Sequence, residues 1–312
     1  MKNLIATIIL FFFFSHIIWA ENNENSSKAK GIKIENAIQT AAGTIDRYLF
    51  HSEFVDERYI DIWLPEGYSI QKEYAVLYMQ DGQMLYDAGN SWNKHEWDVD
   101  TTLTSLLKAK KIKDVIVIGI HNNGNKRHIE YFPQKAIDYI TEPEREELMK
   151  LFSGKPLADN YLKFIVQELK KFVDENYSTK RDQENTFICG SSMGGLISIY
   201  ALCEYPEIFT GAACLSTHWI GTFDYNKQIP AGINKYLKLH LPSAYNHKIY
   251  FDHGTKGLDA NYAEFQKQVD QIAKETGYNK KTFLSLEFPE EDHSEVYWAK
   301  RLFIPLLFLL KK

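Results

Sequence analysis

Apolar and polar positions alternate in two distinct rhythms along this 312-residue chain. Short runs with a period of two, or with unbroken apolar character, read as strands at Tyr48–His51, Tyr59–Leu64, Tyr74–Met79 and Val115–Ile120. Four more follow at Thr186–Cys189, Ala212–Leu215, Ile249–Phe251 and Phe283–Phe288. Between them, apolar residues spaced by three and four predict helices over Thr101–Leu107, Tyr161–Val173 and Leu196–Leu202. Tyr262, Phe265, Val269 and Ile272 form another stripe, and a last helix starts near Val296, with Pro305 expected to end or kink it. Asp159 stands where an N-cap for the 161–173 helix would be.

Tyr74–Met79 and Val115–Ile120 lack alternation, as expected of strands covered on both faces. Strands alternating with helices predict an α/β fold: a mostly parallel, twisted sheet with helices on both faces. The two early, alternating strands fit an antiparallel edge. In such sheets functional residues lie just beyond the carboxyl ends of the strands.

Met1–Ala20 reads as a signal peptide, with Lys2, an apolar stretch Leu4–Phe14 and a small residue before Glu21. The chain is therefore expected to be exported, periplasmic or secreted, with no stable membrane span after cleavage. Residues 21–38 read as a polar, disordered lead-in and 39–312 as one catalytic domain, with loop insertions at about 121–160 and 217–246. The formal net charge is −5 and no basic tract appears, which argues against nucleic acid or an anionic membrane surface as partner. Cys189, Cys203 and Cys214 sit in apolar runs and read as buried free thiols, although one bridge among them stays open. His121 and His128 lack metal-ligand spacing, so neither metal nor cofactor is expected.

Gly190-Ser191-Ser192-Met193-Gly194 carries the candidate chemistry. It reads G-x-S-x-G between a strand and a helix, the setting of a nucleophile elbow. A serine hydroxyl is a weak nucleophile until a base takes its proton. His293, between the last strand and the last helix, is the histidine that fits. The base needs a carboxylate to fix its tautomer, and the order Ser…Asp…His places it after Ile249–Phe251. Asp259, beyond a glycine turn, is favoured over Asp252, which stands at the strand end. The backbone N–H groups of Met193 and Gln83 are candidates to hold an oxyanion, with Asp81 serving the turn before Gln83. Trp97, Arg127, His218 and Trp219 are candidates for the pocket, the last three on insertions expected to overhang it. Arg127 would orient an anionic or polyhydroxylated group, or else form a salt bridge with Glu130 or a neighbouring loop.

These segments resemble the putative esterase family of α/β-hydrolases, which includes esterase D, feruloyl and acetyl-sugar esterases, siderophore esterases and antigen 85 mycolyltransferases. The resemblance rests on Val76–Gln83, Trp97–Asp100, Val115–Ile120, Gly190–Gly195, Gly254–Asp259 and Asp292-His293-Ser294 with Trp298 and Arg301. It implies an α/β-hydrolase fold with Ser192 as nucleophile, His293 as base, Asp259 as acid, and Gln83 and Met193 at the oxyanion. It further implies a small-molecule, saccharide or siderophore ester as substrate. Ser216-Thr217-His218-Trp219 departs from the Ser-Pro-Ser-x-Trp-like run of the siderophore enzymes at Thr217 and His218. The function expected is that of an exported serine carboxylesterase working through an acyl-enzyme. An acyltransferase, or a binding module without catalysis, is the alternative on the same fold.

Overall fold

Val115–Ile120 and Ala75–Gln80 are buried at every position. The pleat sends their side chains alternately to opposite faces, and the two sets enter different cores. Val76, Tyr78, Ile116, Ile118 and Ile188 join one, while Ala75, Leu77, Met79, Val115 and Phe187 join the other. An unbroken apolar run thus serves two helical layers at once. The computed structural model describes residues 30–35, 38–89 and 91–312; the expected signal peptide Met1–Ala20 and most of the lead-in lie outside them.

The described strands are β1 (Gly31–Ile34), β2 (Thr44–Phe50), β3 (Arg58–Leu64), β4 (Ala75–Gln80) and β5 (Val115–Ile120). They continue as β6 (Thr186–Ser191), β7 (Gly211–Leu215), β8 (Lys248–Gly254) and β9 (Phe283–Phe288). They form one sheet in the order β1-β2-β3-β5-β4-β6-β7-β8-β9. The first three strands pair antiparallel and the rest parallel, so the expected antiparallel edge and parallel body are both present. One core lies under the helices Met193–Glu204, Gln228–His240 and Ala263–Glu275, together with the 158–176 helical segment. The other lies under Val99–Lys108, Glu295–Arg301 and Phe303–Leu310. This is the α/β-hydrolase architecture.

Several expectations are corrected. The lead-in ends in structure, because Gly31–Ile34 adds an edge strand to β2, with Ile34 opposite Arg47. An open strand edge is a row of unpaired backbone groups, and Ile32–Ile34 satisfy it. Asp159 caps nothing: the helix begins after Leu157, and the Asp159 carboxylate accepts the Tyr200 hydroxyl at 2.5 Å. The 161–173 helix is instead Ala158–Lys163, a π-helical Phe164–Leu169 and Lys170–Asn176 in succession. Neither insertion is merely a loop. The first contains the helices Arg127–Tyr131 and Glu144–Leu151, the second Gln228–His240, whose Ile229, Ile233, Tyr236 and Leu237 pack on the core. Pro305 does interrupt the last helix: Arg301 ends one segment and Phe303 begins the next. A proline ring collides with the carbonyl four residues earlier, here that of Arg301. The three cysteines are free and buried, and burial pushes all three thiols up.

Candidate active site

Ser192 sits at the turn from β6 into the helix Met193–Glu204, at φ 57° and ψ −124°. That left-handed φ is costly for a residue with a Cβ and persists only where the surroundings impose it. They do so here: the Ser192 N–H donates to the Leu215 carbonyl at 2.9 Å, and its carbonyl accepts the N–H of Gly195 at 3.0 Å and of His218 at 3.1 Å. Glycine at 190 is obligatory, because a Cβ there would lie 2.5 Å from the Gly194 carbonyl oxygen.

His293 follows β9, and Asp259 lies in the short 3₁₀ turn Gly257–Asn261 after β8. The structure brings them together, with His293 Nδ1 2.6 Å from Asp259 Oδ1. The two loops are laced by the Glu291 carbonyl, which accepts the N–H groups of Thr255 at 2.9 Å and Lys256 at 3.0 Å. Asp259 Oδ2 also accepts the Ser216 hydroxyl and the Gly254 N–H, both at 2.6 Å. Burial alone would raise the Asp259 carboxyl; the His293 hydrogen bond and charge, with Ser216 and Gly254, outweigh it and hold it below its usual range. An ionised Asp259 is an acceptor only, so Nδ1 carries the proton and Nε2 keeps its lone pair. Trp298 stands edge-on to the imidazole at 4.9 Å, and Tyr262 at 5.8 Å on another side.

Ser192 and His293 line one cavity of about 510 Å³ at the carboxyl rim of the sheet. Gln83, Trp97 and Arg127 line it as well. Gln83 lies in the 3₁₀ turn Gly82–Met84 after β4, entered through Asp81 at φ 56°. The N–H groups of Gln83 and Met193 donate to no other described residue. Asp81 serves as a clamp at this turn: it takes Arg127 Nε and Nη2 at 2.7 Å each and Asn122 Nδ2 at 2.7 Å. Arg127 therefore pairs with Asp81, whereas Glu130 pairs with Arg58 at 2.8 and 2.9 Å.

Other expected site residues lie elsewhere. Asp252 belongs to β8, fully buried, and accepts Arg301 Nη2 at 3.0 Å and the Tyr250 hydroxyl at 2.7 Å, with no contact to His293. Burial pushes its carboxyl up, against the pull of Arg301. His218 and Trp219 do not reach the cavity. Ser216, at φ 42°, turns the chain inward. The His218 Nε2–H donates to the Thr222 carbonyl at 2.8 Å, which leaves Nδ1 to accept the Tyr262 hydroxyl at 2.6 Å. Burial depresses the His218 imidazole to about 3. Trp219 is 1% exposed and donates its indole N–H to Gln266 at 3.0 Å. The second insertion thus contributes nothing to the cavity wall.

The sequence reading missed Trp92, Asn122 and Glu295 and gave Trp298 no place in the pocket. Glu295 and Trp298 stand two and five residues after His293, on the first turns of one helix, a signal that was available. Trp92, 80% exposed on a loop, carries no periodic signal.

The family model described as "Putative esterase" matches residues 52–309. Among curated proteins, the uncharacterized protein YbbA of Bacillus subtilis is 23% identical over 266 residues, covering 82% of this chain and 93% of its own. An endo-1,4-beta-xylanase/feruloyl esterase of Xylanibacter ruminicola is 27% identical over 179 residues, 54% of this chain and 20% of that protein. Among solved structures, the enterobactin esterase FES of Shigella flexneri superposes with a TM-score of 0.62 at 16% identity, covering 88% of this chain and 61% of that one. A ferulic acid esterase of Anaeromyces mucronatus gives 0.56 at 19% identity, covering 87% and 92%. The chain belongs to the putative esterase family of α/β-hydrolases and shares its general serine-hydrolase chemistry.

Proposed function

We propose that this chain is an exported serine carboxylesterase in which Ser192, His293 and Asp259 form the triad. The observation that carries the reading is the 2.6 Å bond from His293 to a buried, ionised Asp259, with His293 and Ser192 on one cavity. His293 Nε2 takes the Ser192 proton as the hydroxyl oxygen attacks the ester carbonyl. The free amides of Gln83 and Met193 hold the oxyanion, and the amino end of the helix Met193–Glu204 adds its field. His293 then protonates the departing alcohol and deprotonates the water that cleaves the acyl-enzyme. Trp92, Trp97 and Trp298 at the cavity support an ester bearing a ring that stacks on an indole, aromatic or saccharide, in keeping with the feruloyl and enterobactin esters of the named relatives. The apolar run near the N-terminus supports export.

Replacing the nucleophile or base in such a triad costs on the order of a million-fold in turnover. Ser192→Ala should therefore abolish p-nitrophenyl acetate cleavage while leaving the far-ultraviolet circular dichroism unchanged. Activity retained within tenfold would refute the assignment.

A further inference from the structure

We propose that the face carrying the helix Phe303–Leu310 docks onto an anionic lipid bilayer. A groove of about 680 Å³ opens there, floored by Phe303, Ile304, Leu307 and Phe308. Phe303 is 46% exposed, a large apolar side chain left in water. Lys110, Lys111, Lys311 and Lys312 rim the groove, and all four are exposed. None of them forms an ion pair among the described residues, although nearby Lys108 pairs with Glu66 at 3.0 Å. The positive field extends inward: burial, and then the charge of Lys311, hold the Lys248 ammonium below its usual range. Four cations with no ion-pair partner among the described residues, gathered on a chain of net charge −5, repel one another.

An apolar floor inside a basic rim matches the cross-section of a bilayer surface. Lysine stems lie along apolar surface while their ammonium groups reach phosphates, and the phenyl and aliphatic groups enter the headgroup boundary. Nucleic acid would leave the aliphatic floor unused. Orientation agrees with a working enzyme. The Lys113 N–H donates to the Leu310 carbonyl at 2.8 Å just before β5 begins, so the groove lies at the amino ends of the strands. Ser192 and His293 follow the carboxyl ends, so a docked molecule holds its cavity away from the lipid. In the sequence this face is divided between the lysine-rich run Lys108–Lys113 and the pair Lys311-Lys312, which lie far apart along the chain, so only the fold assembles the rim.

The test is vesicle co-sedimentation of the full chain with phosphatidylcholine alone and with phosphatidylcholine carrying one-third phosphatidylglycerol. The readout is the difference between the two, in which any charge-independent contribution from the apolar N-terminal stretch cancels. Each lysine near an anionic surface is worth about fivefold in partition, so four contribute several hundred-fold. Charge reversal of Lys110, Lys111, Lys311 and Lys312 together should erase the difference, and Phe303→Ser should weaken it. Equal reversals at exposed Lys155, Lys163, Lys267 and Lys274 should not. Circular dichroism melting confirms that each variant is folded. Equal binding to both vesicles, or a difference untouched by the rim reversals, overturns the proposal. So does a duplex DNA fragment bound as well as the anionic vesicles, or light scattering showing a dimer dispersed by Phe303→Ser.

Discussion

Ser216→Ala removes one hydroxyl with no solvent exposure and three bonds. Ser216 Oγ donates to Asp259 Oδ2 at 2.6 Å and accepts Trp298 Nε1–H at 2.9 Å and Arg301 Nη2–H at 3.0 Å. Arg301 Nη2 retains Asp252, and Asp259 Oδ2 retains the Gly254 amide. The indole N–H of Trp298 retains nothing among the described residues. A hydrogen bond to an ionised group is worth about 1.5–3 kcal/mol, and an orphaned buried donor costs about 1–3 kcal/mol. Because the groups share one network the two do not simply add, and a net loss of about 3 kcal/mol is expected. For a domain of this size that lowers Tm by about 6–12 °C. Trp298 also flanks His293, so its release loosens the imidazole, and kcat should fall about tenfold with KM unchanged, the rate equivalent of one hydrogen bond. A pH series adds an independent check. A carboxyl held low in the folded state contributes stability above its unfolded pKa and loses it as pH falls toward the folded one. Losing the Ser216 donor lessens that depression, so the stability gap between wild type and variant should narrow in strong acid. Urea denaturation and p-nitrophenyl acetate kinetics suffice. A Tm within about 1 °C of wild type, or a kcat within twofold despite a large Tm loss, would refute the reasoning.

The two aspartates of β8 and its following turn should separate cleanly. Asp259→Asn removes the ionised partner of His293 and should cost on the order of 10⁴ in kcat at modest cost in stability. Asp252→Asn leaves Arg301 buried with Glu291 as its remaining carboxylate, at 2.6 Å, and should cost about 3–5 kcal/mol while the folded fraction turns over normally. The reverse pattern in denaturation and kinetics would exchange their roles. His218, with its imidazole depressed to about 3, takes no proton in the folded state near neutrality, whereas the unfolded chain does so around 6.5. Stability is therefore lost as pH falls through the unfolded pKa, by about 2 kcal/mol between pH 7 and pH 5. His218→Asn should flatten that slope in urea titrations; an identical slope would show that another group is responsible.

Much of the fold was legible because buried strands leave a strong trace. Val115–Ile120, buried throughout, was bounded correctly because Asp114 and His121 flank it, and the half-buried Phe283–Phe288 because Thr282 and Pro289 do. Asp259 and His293 were legible for a different reason: topology places chemistry after strands, and each follows one. Side-chain direction was harder to read. His218 and Trp219 follow a strand as closely as Asp259 does, yet Ser216 at φ 42° turns them into the core, and no local pattern announces that turn. Gln228–His240 was hidden by Pro230 and by the polar residues that fill its exposed side, although Ile229, Ile233 and Tyr236 mark the stripe. The clamp between Asp81 and Arg127 joins residues far apart in sequence through a loop, which periodicity does not encode.

The three buried cysteines make the chain behave, toward reagents, as though it had none. A thiol sealed in a core with its acidity suppressed offers almost no thiolate to an alkylating agent or an oxidant. Modification then waits on large-scale opening of the molecule, and the rate of thiol labelling becomes a direct gauge of how often that happens.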